Sequence, residues 1–332
     1  MRRPLLAVAA VFAVSACTSG SPVAHHSRPS TPAPSAAHSS AAGAPRVRVR
    51  VLPWRLPEPV GREAAVATSR GVVVAGGLVA GDQSTAASYR LDLGNGHTVA
   101  LPDLPVPVHD VGGALTHGMA EVIGGGNATE QSVVQAATAH GGWRVSGRLP
   151  TARSDLVAVV VGDRVFAVGW YDGGTPALAD ILVSTNGGAF DVFGRLRVPV
   201  RYAAAAMSNG AIWVFGGERN GAEVDPIQRV DLGTGRVRVV GHLPHVLGHA
   251  SALAIGRRIL LVGGRTGATT LSRRMWWFDP ASGRLRRAGV LPTPLADAAL
   301  VTVGGAAYLI GGETPELSDR VLRVTFRLPV RP

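Results

Sequence analysis

Residues 258–265 read RILLVGGR, an apolar run that ends in a pair of glycines. The same arrangement occurs at six places, with tryptophan as the second residue in one of them: Gly76-Gly77, Gly124-Gly125, Gly169-Trp170, Gly216-Gly217, Gly263-Gly264 and Gly311-Gly312. The first glycines are 48, 45, 47, 47 and 48 residues apart. Short apolar runs repeated at this period are typical of propeller blades. The sequence therefore predicts six blades.

A second motif, Leu-Pro, precedes the glycine pairs. In five repeats the proline lies 19 residues before the first glycine. These dipeptides are Leu56-Pro57, Leu104-Pro105, Leu149-Pro150, Leu243-Pro244 and Leu291-Pro292. The remaining repeat has Leu196 followed by Arg197. Two motifs at one fixed offset indicate a true repeat.

Each repeat contains apolar runs of strand length. In the fifth, residues 250–255 and 258–262 are separated by a turn at Gly256-Arg257, and a third run covers 272–278. A turn over 279–283 leads to a fourth run before the next Leu-Pro. We therefore predict an all-β fold in which each blade has four antiparallel strands.

The last repeat ends at Pro332 without a fourth strand, whereas residues 47–51 near the other end alternate as VRVRV. Alternation of apolar and polar residues is typical of a half-buried strand. We expect this N-terminal strand to complete the last blade, which would remove exposed sheet edges.

This pattern resembles the kelch repeat of the galactose oxidase-like central domain superfamily. Phe278-Asp279-Pro280 matches the strand end of that repeat, and Trp143 matches the tryptophan of its last strand. The resemblance covers roughly residues 46–332 and implies a six-bladed propeller of four-stranded blades. The third repeat diverges from the others at residues 184–190, which read STNGGAF. This stretch is similar to a degraded Asp-box, and a plain hairpin turn is the alternative interpretation.

The first residues have the features of an export signal. Arg2-Arg3 precede an apolar run over 5–14, which is shorter than the ~20 residues that span a bilayer. Residues 14–17 (VSAC) resemble a lipobox, which implies a bacterial lipoprotein with a signal peptide over 1–16 and a diacylglyceryl-modified, palmitoylated Cys17. An ordinary secretory signal is the alternative. Cys17 is the only cysteine, so no disulfide is predicted.

Residues 17–45 are predicted to form a tether. Of the residues from 18 to 45, seven are serine, seven alanine and five proline, a composition that cannot offset the entropy of folding. The propeller domain is then 46–332, outside the cytoplasmic membrane and anchored through Cys17.

The chain is strongly basic, with a formal charge of +11, and its 33 basic residues are all arginine. Arginine without lysine, together with abundant alanine, glycine and valine, indicates a GC-rich bacterial genome. A positive surface outside the membrane favours anionic lipids or glycans. Export argues against nucleic acid as a partner. We expect a monomer without a cofactor.

Two sets of positions are expected to surround the channel mouth, as in kelch-type propellers. The fifth residues after the Leu-Pro prolines, or after Arg197, form the first ring: Arg62, Asp110, Asp155, Tyr202, His249 and Asp297. The residues after the glycine pairs form the second ring: Leu78, Gly126, Tyr171, Glu218, Arg265 and Glu313. Arg201 lies beside the first ring, and Trp170 is expected to face the channel as a ligand contact.

These side chains allow two interpretations. Arginine, carboxylate and tyrosine together suit a carbohydrate or an anionic group. Alternatively, the arginines and carboxylates only neutralise one another. His242, His245 and His249 are close in sequence, but on strands and loops their spacing does not bring three imidazoles together, so no metal site is predicted.

Two functions remain open from the sequence. The first is a non-catalytic binding or scaffold module for a cell-envelope protein or glycan on the loop face. The second is a carbohydrate-active enzyme, such as a sugar epimerase or mutarotase, with its site in the mouth. The resemblance also suggests galactose oxidase, but that copper enzyme requires a tyrosine crosslinked to a cysteine, and Cys17 is assigned to lipidation.

Overall fold

The computed structural model describes residues 45–174, 177–185 and 187–327. The signal peptide predicted over 1–16, Cys17 and the tether up to residue 44 lie outside these residues. Within the described residues the regular structure consists of strands only.

The strands of the first half of the chain are short except for the first. In chain order they are β1 (Arg46–Val60), β2 (Ala64–Thr68), β3 (Gly71–Ala75), β4 (Leu78–Val79), β5 (Gln83–Ser84), β6 (Ser88–Leu91), β7 (Thr98–Leu101), β8 (Gly112–Thr116), β9 (Met119–Ile123), β10 (Val133–Ala137), β11 (Trp143–Arg148), β12 (Val157–Val161), β13 (Arg164–Val168), β14 (Asp180–Ser184) and β15 (Asp191–Arg195).

The second half repeats the same order of elements. Its strands are β16 (Ala204–Ser208), β17 (Ala211–Phe215), β18 (Glu218–Arg219), β19 (Ala222–Glu223), β20 (Pro226–Asp231), β21 (Val237–His242), β22 (Ser251–Ile255), β23 (Arg258–Val262), β24 (Arg274–Asp279), β25 (Arg284–Val290), β26 (Ala299–Val303), β27 (Ala306–Ile310) and β28 (Ser318–Arg327).

Six four-stranded antiparallel sheets form the blades. Their strand orders are β2-β3-β6-β7, β8-β9-β10-β11, β12-β13-β14-β15, β16-β17-β20-β21, β22-β23-β24-β25 and β26-β27-β28-β1. The first strands of successive blades contact one another, and β26 contacts β2 in turn. The blades therefore form a closed ring, and the predicted six-bladed β-propeller is confirmed.

The outermost strand of blade six is β1, which pairs antiparallel with β28 from Arg46 opposite Arg327 to Val51 opposite Leu322. Its valines at 47, 49 and 51 pack against the cluster shared with blade five. Past Val51 the pairing shifts register, and β1 continues to Val60, beside the glycine pair of its own blade. The blade at the closure is thus built from both ends of the described chain.

The glycine pairs are required where one blade approaches the next. Gly263 and Gly264 have φ of 66° and 91°, a region that disfavours side chains. A Cβ on Gly263 would lie 2.1 Å from the carbonyl oxygen of Leu295, in the segment that enters the following blade. The backbone of the next blade therefore occupies the space of a side chain.

The core lies between the blades. Small residues of the first strands, such as Ala204 and Ala206, pack near the axis, and larger side chains such as Trp213 and Phe278 fill the space further out. Trp143 of β11 donates a hydrogen bond from Nε1 to Ser88 of blade one, at 2.9 Å. In the divergent third blade, β14 and β15 pair as an antiparallel hairpin on either side of residues 185–190.

Candidate functional site

The first ring of predicted residues surrounds the axis of the propeller. All six have positive φ, between 51° and 62°. Each backbone N–H donates to the carbonyl of the ring residue in the preceding blade, and Arg62 donates to Asp297 across the closure at 3.0 Å. This circle of six hydrogen bonds passes through Arg62, Asp110, Asp155, Tyr202, His249 and Asp297.

The second ring lies directly beside the first. Each residue after a glycine pair forms an antiparallel bridge with the residue just before a first-ring position, for example Glu218 with Arg201 and Glu313 with Ala296. The two sets predicted from the sequence thus meet at one end of the channel. Leu78 and Gly126 add no polar side chain, whereas Tyr171, Glu218, Arg265 and Glu313 do.

One half of the site is organised by Arg201. Its Nη1 lies 3.2 Å from Asp155 Oδ2 in blade three, and its Nε donates to Glu218 Oε1 at 2.9 Å. The other carboxylate oxygen of Glu218 lies 3.6 Å from Nε2 of His249 in blade five. The guanidinium also lies 4.9 Å from the ring centroid of Tyr171, within cation–π range. These contacts connect blades three, four and five.

Arg62 and Arg265 organise the other half. Arg62 donates from Nε to Glu313 Oε1 at 2.8 Å and from Nη1 to Asp110 Oδ2 at 3.2 Å. Nη2 of Arg265 contacts Asp297 Oδ2 at 3.1 Å and also the carboxylate of Glu313. This half therefore joins blades five, six, one and two.

Two aromatic rings connect the halves. The hydroxyl of Tyr202 donates to Asp110 Oδ2 at 3.0 Å, and the Tyr202 ring stacks on His249 with centroids 3.9 Å apart. Nδ1 of His249 lies 2.7 Å from Asp297 Oδ1. Because the two halves share these contacts, one polar network reaches all six blades. We call the polar side chains of both rings, with Arg201, the mouth network.

The network changes the acidity of its members. Burial and the nearby Asp110 carboxylate raise the pKa of Asp155 to about 7. Burial lowers the pKa of His249, but Asp297 and Glu218 outweigh it and raise the value to about 9. The contact with His249, assisted by Arg201, lowers the pKa of Glu218 to about 2. At neutral pH the histidine is therefore a cation between two carboxylates.

A cavity of about 250 Å³ lies on the axis, lined by the first ring and by the small residues that follow it in the first strands. Glu63 lines this cavity and was not predicted from the sequence. Its carboxylate is buried, and burial raises its pKa to about 8, because the backbone N–H groups of Glu63 and Ala299 offset the burial only in part. A signal was present, because the other repeats have an apolar residue at this position: Val111, Leu156, Ala203, Ala250 and Ala298.

Trp170 requires a correction. It was expected to contact ligand, but it is fully buried in the core between blades two and three, and its Nε1 donates to the carbonyl of Asp180. The second glycines of the other pairs adopt positive φ, whereas Trp170 does not. The chain therefore takes a different path here and directs the indole into the core, below the guanidinium of Arg153.

The histidines that are close in sequence have separate partners. His242 contacts Asp225 at 2.9 Å on the exposed end of its strand, whereas His249 belongs to the mouth network. Among residues 45–174, 177–185 and 187–327 no group of three His, Cys, Asp or Glu residues could hold a metal ion. In the same residues no helix is long and apolar enough to cross a membrane.

Comparison with protein-family models gave no match to this chain, and comparison with curated proteins gave none either.

Proposed function

We propose that this chain is a non-catalytic binding or scaffold module, a kelch-type propeller that presents its mouth to a ligand. The observation that carries this proposal is the mouth network, whose ion pairs join all six blades around one small cavity. Side chains held in this way are pre-organised, which reduces the entropy lost on binding. The loops after the glycine pairs border the network and supply the variable part of the surface.

The charges of the network favour a neutral, hydroxyl-rich ligand. Three arginines and a protonated His249 face Asp110, Asp155, Asp297, Glu218 and Glu313. Because positive and negative groups nearly balance, a free anion gains little from the site. A sugar hydroxyl both donates and accepts hydrogen bonds, so it can bridge an arginine and a carboxylate. A cavity of about 250 Å³ is small among ligand pockets, which suits a ligand of the size of a monosaccharide.

We further propose that the propeller lies on the outer side of the cytoplasmic membrane, as a monomer anchored through an acylated Cys17. The support is the sequence of residues 1–17, with its basic start, its short apolar run and VSAC. Two acyl chains anchor a protein stably. The ligand is then a component of the cell envelope, a glycan by the charge argument above.

The binding proposal is tested by titrating the full chain with neutral and acidic envelope saccharides in a calorimeter. Arg265→Ala with Glu313→Ala removes the ion pair between these residues and their contacts with Asp297 and Arg62, and it should abolish binding of the neutral saccharide. Arg55→Ala with Asp319→Ala removes an ion pair of 2.6 Å on the outer edge of blade six and should leave binding unchanged. Equal affinity in both double variants would place the site elsewhere. Failure of every saccharide would favour a protein partner.

A carbohydrate-active enzyme is the second candidate, and the acidities of the network favour it. Asp155 with a pKa of about 7 and His249 with a pKa of about 9 lie in one network, a combination suited to proton transfer near neutral pH. NMR can follow the interconversion of sugar anomers or epimers in the presence of the chain. Interconversion by the parent chain that is lost in Asp155→Asn would support this candidate over simple binding.

A further inference from the structure

A groove of about 900 Å³ lies between blades six and one, and its lining extends from the inner strands at Thr68 and Val303 to the outermost strands at Arg50 and Val99. Blades radiate from an axis, so their outer strands leave a wedge between them. Four arginines line this wedge: Arg50 and Arg323 from blade six, and Arg70 and Arg90 from blade one. We call this surface the arginine groove. Its lining includes one carboxylate, Asp92, which already accepts the backbone N–H of Gly94 at 2.7 Å.

The positive surface continues beyond the groove along β1, in which arginines and valines alternate. The valines of β1 face blade five, so Arg46, Arg48 and Arg50 project from the opposite side of the strand. Arg46 is directly opposite Arg327, and Arg50 is directly opposite Arg323. Like charges in directly opposed positions destabilise a sheet. Within the described residues none of these arginines has a carboxylate partner to offset that repulsion.

Apolar side chains accompany the arginines. Trp54 is half-buried in the groove, and Val99 and Val303, which also line it, expose 38% and 39% of their surface. Tryptophan beside cationic groups is characteristic of surfaces that meet the boundary between lipid headgroups and acyl chains. The groove thus combines exposed apolar atoms with guanidinium groups that have no carboxylate partner among the residues that the structure describes.

The groove and the mouth are at opposite ends of the strands. Arg62 of the mouth precedes β2, whereas Thr68 of the groove ends β2 and Arg70 follows it, so the strand separates them by about 17 Å at ~3.3 Å per residue. The first described residue lies at the groove end, since Pro45 precedes Arg46 and its carbonyl accepts a hydrogen bond from Trp277 Nε1 at 3.0 Å. The described chain thus begins at the end of the strands away from the mouth.

We propose that the arginine groove docks on the anionic phosphate headgroups of the membrane surface. This inference rests on the proposed extracytoplasmic, membrane-attached location, but not on the ligand assigned to the mouth. Guanidinium groups bind phosphate oxygens in a bidentate manner, and the negative potential of anionic lipids attracts each arginine near the surface. Docking here compensates the charge repulsion between β1 and β28, and it directs the mouth away from the bilayer.

The test is co-sedimentation of the full chain, in a Cys17→Ser background, with vesicles of phosphatidylcholine containing phosphatidylglycerol. The groove variant carries Arg50→Gln, Arg70→Gln, Arg90→Gln and Arg323→Gln. A matched control removes the same charge at exposed arginines at the mouth end of the strands, through Arg148→Gln, Arg195→Gln, Arg219→Gln and Arg274→Gln. We expect the groove variant to lose at least about tenfold in vesicle partitioning, since each arginine near an anionic surface contributes severalfold. The control should stay within about twofold of the parent chain if each arginine distant from the surface contributes little.

Three results would overturn the proposal: equal loss in both variants, no binding by the parent chain, or equal binding to vesicles of phosphatidylcholine alone. The groove variant should remain folded, because its substitutions remove the repulsion between Arg50 and Arg323. We therefore expect no decrease in its melting temperature. Near-ultraviolet circular dichroism checks this. Acylation is tested separately, by mass spectrometry of the chain with Cys17 intact recovered from membranes. An unmodified Cys17 would refute the lipid anchor without altering the vesicle result.

Discussion

Arg201 shows how one side chain at the mouth joins separate blades. Its guanidinium contacts Asp155 of blade three and Glu218 of blade four, and its side chain is only 23% exposed. Arg201→Ala leaves Asp155 without a cation in a partly buried site and leaves Glu218 with His249 alone. We expect the free energy of unfolding to fall by about 1–3 kcal/mol. Urea denaturation followed by tryptophan fluorescence measures this change.

The matched control for this prediction is Arg195→Ala. Arg195 also contacts a carboxylate, that of Asp180 at 2.9 Å, but its side chain is 72% exposed. Exposed ion pairs contribute about 0–1 kcal/mol, so this variant should unfold near the parent value. Equal losses in the two variants would mean that the mouth network does not stabilise the fold.

Glu63 gives a pH-dependent prediction. Its pKa is 4.5 in a model peptide and about 8 in the folded chain, so between these values the folded state binds more protons than the unfolded state. The free energy of unfolding therefore decreases as pH rises from about 4.5 to 8, by about 1.4 kcal/mol for each unit of pKa difference at most. Glu63→Gln should reduce this slope and be more stable than the parent chain at pH 8, as urea titrations at several pH values would show.

His249→Gln provides the comparison. The His249 pKa rises from 6.5 to about 9 on folding, so its contribution is complete below pH 6.5 and is lost as pH increases through about 9. This variant should keep the slope between pH 4.5 and 6.5 and lose part of the slope above it. If the free energy of unfolding had the same pH dependence in Glu63→Gln and His249→Gln, the two groups would not titrate as assigned.

At the scale of the strands, much was predictable because the repeat imposes the same backbone at equivalent positions. The six first-ring positions follow from counting after the Leu-Pro motif, and all six have positive φ in the structure. Side-chain pairing did not follow from counting. Whether Arg265 contacts Glu313 or a neighbouring residue depends on the distance between loops. The burial of Trp170 depends on the path of its backbone, which lacks the positive φ of the second glycines in the other repeats.

The closing strand carries the prediction at this scale. Deletion of residues 46–51 removes the part of β1 that pairs in regular register with β28, and it exposes the edge of β28 and the ring of Phe326 to solvent. We expect the melting temperature to fall by on the order of 10 °C or more, with aggregation through the free edge. Deletion of residues 36–41, an equally long part of the predicted tether, should not change the melting temperature. Equal behaviour of the two deletions in scanning calorimetry would contradict a role for β1 in closure.

For the whole molecule, the opposite positions of the mouth and the arginine groove predict one orientation on a membrane. Thr269 lies in the exposed loop after the glycine pair of blade five, and Ser282 lies in the exposed turn at the other end of β24, about 20 Å away at ~3.3 Å per residue. In a Cys17→Ser background, Thr269→Cys and Ser282→Cys each provide a single site for a fluorophore.

On vesicles that contain phosphatidylglycerol and a headgroup acceptor dye, energy transfer should be stronger from position 282. Both signals should decline together at high salt, because screening weakens attraction between exposed charges and the surface. Equal transfer from the two positions would show that the propeller has no fixed orientation, and stronger transfer from 269 would place the mouth against the bilayer.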